Sequence, residues 1–250
     1  MKICHVVFSS NRLEYLEKTL SSNKSLNYGN LNVDTVLIDD YPFNRNDDLI
    51  KETCKKYKIN TVILNKENLG ITKNWQNFFD YVNDFNYDYI LHQEDDVELL
   101  EKIDLNLLIQ ILESNKKLRQ VQLKRNNWYK SETEEIGPKK EDIIFNEFRY
   151  EIESKYFWMM FSLYPSWICR EPILQEMKMY PSEFCISEYL NKKYNLNTAL
   201  LKNKNGKNII NHFGEFSQGK RVSSELDAGW NRFKNFNPEK KYSSKTGEIF

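Results

Sequence analysis

The chain has 250 residues, and its 36 lysines and arginines are matched by 36 aspartates and glutamates, so the formal net charge is zero. A nucleic-acid binder normally carries a basic excess, so no nucleic-acid partner is expected. Hydrophobic residues make up 40 % and aromatic residues 14 %, enough for a sizeable core, while 8 glycines and 6 prolines exclude a low-complexity chain.

No apolar run approaches the ~18 residues of a transmembrane helix, and the opening MKICHVVFSSNR turns polar too early for a signal peptide. The four cysteines, Cys4, Cys54, Cys169 and Cys185, form no CxxC pair. Scattered single thiols of this kind suit a reducing compartment, so a cytoplasmic location is expected.

In chain order, Ile3 to Phe8 is an apolar, β-rich strand. Leucines 13, 16 and 20 then mark one face of a helix that Ser10 or Asn11 can cap. Val33 to Ile38 is a second strand, closed by Asp39-Asp40-Tyr41-Pro42. Asp48 to Lys58 reads as a helix, Asn60 to Leu64 as a strand, and the segment after Gly70 as a helix. Tyr87 to His92 is a fourth strand that runs directly into Gln93-Glu94-Asp95-Asp96.

Alternation of this kind predicts a parallel, doubly wound sheet covered on both faces. Ligands bind such sheets beyond the carboxyl ends of the strands. Three polar clusters fall at those ends: Ser9 to Arg12, Asp39-Asp40, and Glu94 to Asp96.

The second half is less regular. A helix is expected over Asp104 to Asn115, strands over Gln120 to Leu123, Phe157 to Leu163 and Asn197 to Leu201, and helices over Pro172 to Met179 and Ser182 to Tyr194. Lys130 to Asp142 is charged, contains Gly137-Pro138, and reads as an exposed loop. No repeat or linker separates two domains.

Three consecutive acids in LHQEDDVELL repel one another, and a divalent ion with substrate phosphates would offset their charge. A charged turn after a strand is the plainer alternative. Segments Ile3 to Arg12, VLIDDYP, NKENLGITKNWQNF and ILHQEDDVEL together resemble the GT-A fold glycosyltransferases, family 2-like, of viral and microbial type.

The resemblance implies one α/β domain over residues 1–250, Rossmann-like, with a central, mostly parallel mixed sheet flanked by helices. Residues 1–100 would form its nucleotide-sugar half, 101–215 its acceptor and catalytic half, and 216–250 a tail or lid. It further implies a nucleotide-sugar donor, a UDP-sugar, and Mn²⁺ or Mg²⁺ as cofactor. A glycan or other hydroxyl compound would be the acceptor. The donor would meet Ser9, Asn11, Arg12, Asp39, Asp40, Asn74, Glu94 and Asp95, with Asp96 as the direct metal ligand.

By the same resemblance, SEFCISEYLNKKYNLNTALL carries the catalytic base at Glu183, with Glu188 as the rival and a first-turn helix-dipole role as the alternative. His212, late in the chain, matches an additional metal ligand, although a structural histidine is the commoner role. Lys220 and Arg221 read as surface charges that can alternatively close over a diphosphate. Tyr129, Trp158, Tyr164 and Trp167 are acceptor-side aromatics, with core packing the better reading of Trp158.

The activity so implied is inverting sugar transfer. Two other classes remain open: a nucleotidyltransferase, which normally has a glycine-rich phosphate loop that FSSNRLEY lacks, and a non-catalytic carbohydrate-binding protein of the same fold.

Overall fold

The computed structural model describes residues 1–40, 43–114, 118–125, 143–145, 148–153, 167–170, 197–203, 205–214, 216–217 and 220–221. The first half runs β1 (Lys2–Ser9), α1 (Leu13–Ser22), β2 (Leu26–Asn27), β3 (Asn32–Asp39), α2 (Asp47–Lys56), β4 (Thr61–Leu64), α3 (Gly70–Asn83), β5 (Tyr89–Glu94) and β6 (Val97–Leu99). It continues with β7 (Ile103–Asp104), α4 (Leu105–Ser114), β8 (Leu118–Leu123), β9 (Ile143–Phe145), β10 (Phe148–Glu153) and β11 (Trp167–Arg170). The last elements are β12 (Asn197–Asn203), β13 (Ile210–His212), β14 (Phe216–Ser217) and β15 (Lys220–Arg221).

Nine strands form one sheet in the order β4-β3-β1-β5-β11-β8-β12-β10-β9. The first four are parallel, as the strand–helix alternation predicts, and the sheet is mixed beyond them. Successive residues of β1 face opposite sides of the sheet. Val7 packs with Leu37 beneath α1 and α2, against Leu16, Leu20, Ile50 and Cys54. Phe8 meets the α3 aromatics on the other side, with ring centroids 4.6 Å from Trp75 and 5.8 Å from Phe78. A second core joins α4 to β8 and β12 through Leu108, Ile111, Leu112, Val121 and Leu201.

Register aligns the carboxyl ends. Ser9 lies opposite Asp39, Asp39 opposite Leu64, and Phe8 opposite Glu94. Beyond the main sheet, β13 pairs antiparallel with β6, placing His212 opposite Val97. Strand β11 enters the sheet with Trp167 opposite His92, at the same edge.

The strands and helices expected in the first hundred residues match to within two residues, but the short β2 and β6 were not expected and the cap of α1 differs. Its N-terminal flanking residue is Arg12, which caps with no side-chain hydrogen bond. Ser10 gives its backbone N–H to Asp95, and Asn11 turns its side-chain amide to the Phe43 carbonyl. Asn11 has φ 54°, in the left-handed region that asparagine tolerates better than most residues.

In the second half, β7, β9, β10, β11, β13, β14 and β15 were not expected. The predicted strand at 157–163, the loop at 130–142 and the helices at 172–179 and 182–194 lie outside the described residues. Among the described residues, no helix is long and apolar enough to cross a membrane.

Candidate active site

The acidic turn between β5 and β6 is held by the backbone and by α1. Asp95 N–H donates to the Phe8 carbonyl at 2.9 Å. Thr19, fully buried on α1, donates its hydroxyl to the Asp95 carbonyl at 2.7 Å and accepts from Val97 N–H at 3.1 Å. Ser22, one turn later on the same face, accepts from Leu99 N–H at 3.1 Å. Two helix hydroxyls thus satisfy backbone donors of β6 and hold the turn in place.

Asp95 and Asp96 diverge from there. The fully buried Asp95 carboxylate accepts from Ser9 Oγ at 2.9 Å, from Ser10 N–H at 3.1 Å, and from two nitrogens of Arg12. Arg12 also places Nη1 3.0 Å from Asp96 Oδ2. Burial pushes the Asp95 carboxyl up, and the neighbouring Asp96 charge adds to that against the pull of Arg12. Burial would raise Asp96 too, but His212 and Arg12 outweigh it and hold Asp96 below the usual carboxylate range. Arg12 is therefore the internal cation of the acidic cluster, a role that an external ion alone was expected to fill.

Asp96 faces the β13 segment. His212 Nε2 lies 2.9 Å from Asp96 Oδ1 and 3.7 Å from Glu94 Oε2. Phe213 N–H donates to the Asp96 carbonyl at 2.9 Å. Glu94, Asp96 and His212 each offer a ligand atom, all within 4.8 Å of one another. Burial holds the His212 ring below its ordinary pKa, against the pull of Asp96, with Arg125 and Arg12 adding to the lowering. The described residues thus bring together Glu94, Asp96 and His212, although His212 is more than a hundred residues from the acids in sequence.

A β-carbon built on Gly214 would lie 1.8 Å from Asp96 Oδ2 and 2.4 Å from its Cγ. Only glycine leaves room for this carboxylate. Gly214→Ala should cost about 1–3 kcal/mol in overpacking, read by denaturant unfolding. The same substitution in an Asp96→Gly background should cost almost nothing, and an equal loss in both backgrounds would show that the clash is elsewhere.

The neighbouring strand ends carry a second polar group. Buried Asp39 accepts from Asn11 N–H at 2.8 Å and from Arg45 Nη1 at 3.1 Å, while Arg45 Nε reaches Asp47 at 2.7 Å. Asp40 accepts from Leu69 N–H at 3.0 Å, Gly70 N–H at 2.8 Å and Asn65 Nδ2 at 2.9 Å. It anchors the N-terminus of α3, where a carboxylate is favoured. Asn74, predicted to meet the donor, accepts from the same Asn65 amide group at 2.8 Å. An open polar depression of about 830 Å³, lined by Asn44 to Asp48 and Lys66, flanks Asp39 on this side.

His92 is fully buried, its ring centroid 5.2 Å from that of Phe8 and 4.7 Å from that of Trp75, so it belongs to the aromatic core. Lys220 and Arg221 form β15, paired with β14. Glu183, Glu188, Tyr129, Trp158 and Tyr164 lie outside the described residues. Thr19, Arg45, Asn65, Arg125 and Gly214 escaped the sequence reading. Asn65 alone carried a usable signal, because it directly follows a strand as Asp40 and Asp95 do.

Residues 4–174 match the description of glycosyl transferase family 2. No curated protein matches the chain in sequence. Among solved structures, S. aureus TarS 1–349 in complex with UDP-GlcNAc is similar at 17 % identity and a TM-score of 0.58, over 90 % of this chain and 61 % of that one. TarS 1–349 without that ligand gives 16 % identity and a TM-score of 0.55, over 86 % and 61 %. The chain thus spans about three-fifths of the length of these structures, and identity at this level bears on fold alone. With the parallel strands, the strand-end acids and the match over more than half its length, the chain belongs to glycosyl transferase family 2 and has the GT-A fold.

Proposed function

We propose that this glycosyltransferase moves a sugar from a nucleotide sugar, of the UDP-linked kind, to a hydroxyl group of a glycan, with inversion and with Mn²⁺ or Mg²⁺. The observation that carries the reading is the convergence of Glu94 and Asp96 at the carboxyl ends of parallel strands, with His212 beside them. TarS, of the same fold, binds UDP-GlcNAc.

The residues fit a hard divalent ion. Carboxylate oxygens are its preferred ligands, and Glu94 and Asp96 each offer one within 4.8 Å of the other. Asp96 and Glu94 would hold the ion, which when bound supplies positive charge to the leaving diphosphate. Arg12 keeps Asp95 turned away from that position and neutralises it. Ser9, Asn11 and Arg12 at the end of β1 line the donor side. Asp39 with Arg45, and Asp40 with Asn65 and Asn74, form the wall for the nucleoside. Glu183 would take the proton from the acceptor hydroxyl as that oxygen attacks the anomeric carbon.

Thermal unfolding with UDP and Mn²⁺ tests binding. A ligand at 100 times its Kd stabilises by about 2.7 kcal/mol, so UDP with Mn²⁺ should raise the Tm by several degrees and UDP with a chelator should not. Hydrolysis of UDP-sugars to UDP in the presence of Mn²⁺ then tests the chemistry. Release of pyrophosphate from a nucleoside triphosphate would instead favour a nucleotidyltransferase. Binding without any turnover would favour a carbohydrate-binding role.

A further inference from the structure

Arg125 follows β8 and pairs as an isolated bridge with Ile210 of β13. It is buried, and its Nη1 meets His212 Nδ1. A guanidinium offers five N–H donors and no lone pair. Nδ1 must therefore accept, and the ring's single proton must sit on Nε2. That nitrogen is the one turned to Asp96 and Glu94.

A histidine that ligates a metal has the reverse arrangement. Its ligating nitrogen is bare, and the other ring nitrogen donates to a carboxylate, a carbonyl or water. Here the outer partner is a cation that can only donate. Moving the ring proton to Nδ1 would set it against the Arg125 N–H.

We infer that His212 faces the acidic cluster as an N–H donor and is not a metal ligand, and that Arg125 is the residue that imposes this state. Both are positioning residues. His212 orients Asp96 through Oδ1, while Arg125 acts through His212. A cation bound here takes its protein ligands from the carboxylates of Asp96 and Glu94.

The metal itself rests on the function proposed above, but the ring state does not, so the two are tested separately. Long-range ¹H–¹⁵N spectra of the histidine rings, on the full chain, read the tautomer directly. Only three histidines are present, and His212→Gln assigns the signal. Metal-free protein should show His212 protonated at Nε2, and the proton should stay there when Mg²⁺ and UDP are added. Arg125→Met, which keeps bulk but loses the donor, should let the Nδ1-protonated form appear, a change that a purely structural role would not cause.

Calorimetric Mg²⁺ titration in the presence of UDP is the second measurement. His212→Gln keeps a donor near the Nε2 position and should hold Mg²⁺ affinity within about threefold, whereas His212→Ala should lose about 10–100-fold, the usual effect of removing an outer partner. Nδ1-protonated His212 in the metal-free protein, loss of the Nε2 proton on Mg²⁺ addition, or a His212→Gln loss as large as that of Asp96→Ala would each overturn the inference. If wild-type protein takes up no Mg²⁺, the metal reading falls and the metal-free spectrum still decides the ring state.

Discussion

Asp96→Ala should lower transfer from a nucleotide sugar by at least about 10³-fold at saturating Mn²⁺, because charge stabilisation of several kcal/mol at the leaving diphosphate is lost and each ~1.4 kcal/mol is a factor of ten. The fold should survive, since Asp96 lies beyond the end of β5 and Arg12 keeps its two contacts to Asp95. Asp95→Asn provides the contrast. That carboxylate gathers Ser9, Ser10 and Arg12 in a fully buried position, and taking away one member of a buried ion pair typically costs about 3–5 kcal/mol. Asp95→Asn should therefore shift the unfolding midpoint while leaving turnover per folded molecule largely intact, whereas Asp96→Ala, which gives up its own contacts to Arg12 and His212, should lose turnover beyond any shift in midpoint. Two adjacent acids in one motif would then separate into a chemical and an architectural role. Turnover per folded molecule, measured alongside thermal unfolding, distinguishes them, and near-normal transfer by Asp96→Ala would remove the metal role assigned to it.

The same division explains what could be read from the chain alone. Strands β1, β3 and β5 are short apolar runs whose ends are marked by a switch to polar residues, and that switch survives without tertiary information. The strand-end acids were visible for the same reason. Their partners were not. Arg12 reaches Asp95 across 83 residues, Thr19 reaches the Asp95 carbonyl across 76, and Arg125 meets His212 across 87. No local period encodes such pairings. Thr19 looks like an ordinary polar residue within a leucine-rich helix until β6 is laid against it.

The cap of α1 differs from the sequence reading because the helix begins later than Ser10 and Asn11 allow, with Arg12 as its flanking residue and no side-chain cap. Asp40 shows the opposite case. Its side chain closes the N-terminus of α3 with two backbone N–H groups and Asn65, a use that its place at a strand end does not reveal. The neighbouring Asp39 is likewise closed, by Arg45 and by the Asn11 N–H.

Glu183→Gln should leave donor binding unchanged and reduce transfer by about 10²–10⁴-fold, or roughly 3–5 kcal/mol in the barrier, because glutamine keeps the size of the side chain but cannot accept a proton. The assignment rests on the family resemblance of SEFCISEYLNKKYNLNTALL, where placing Leu190 on the leucine of the family's helix puts Glu183 at the base position. Glu188 is the control, five residues on and a turn or more inside the same predicted helix. UDP binding is the first readout, since the nucleotide contacts proposed here lie at the ends of β1, β3 and β5, in a different part of the chain. The second is single-turnover transfer, which isolates the chemical step from product release. A loss confined to Glu188→Gln would move the base one turn and a half along the helix. Full transfer by both variants would place the proton acceptor outside this segment, and with it the inverting mechanism would lose its residue.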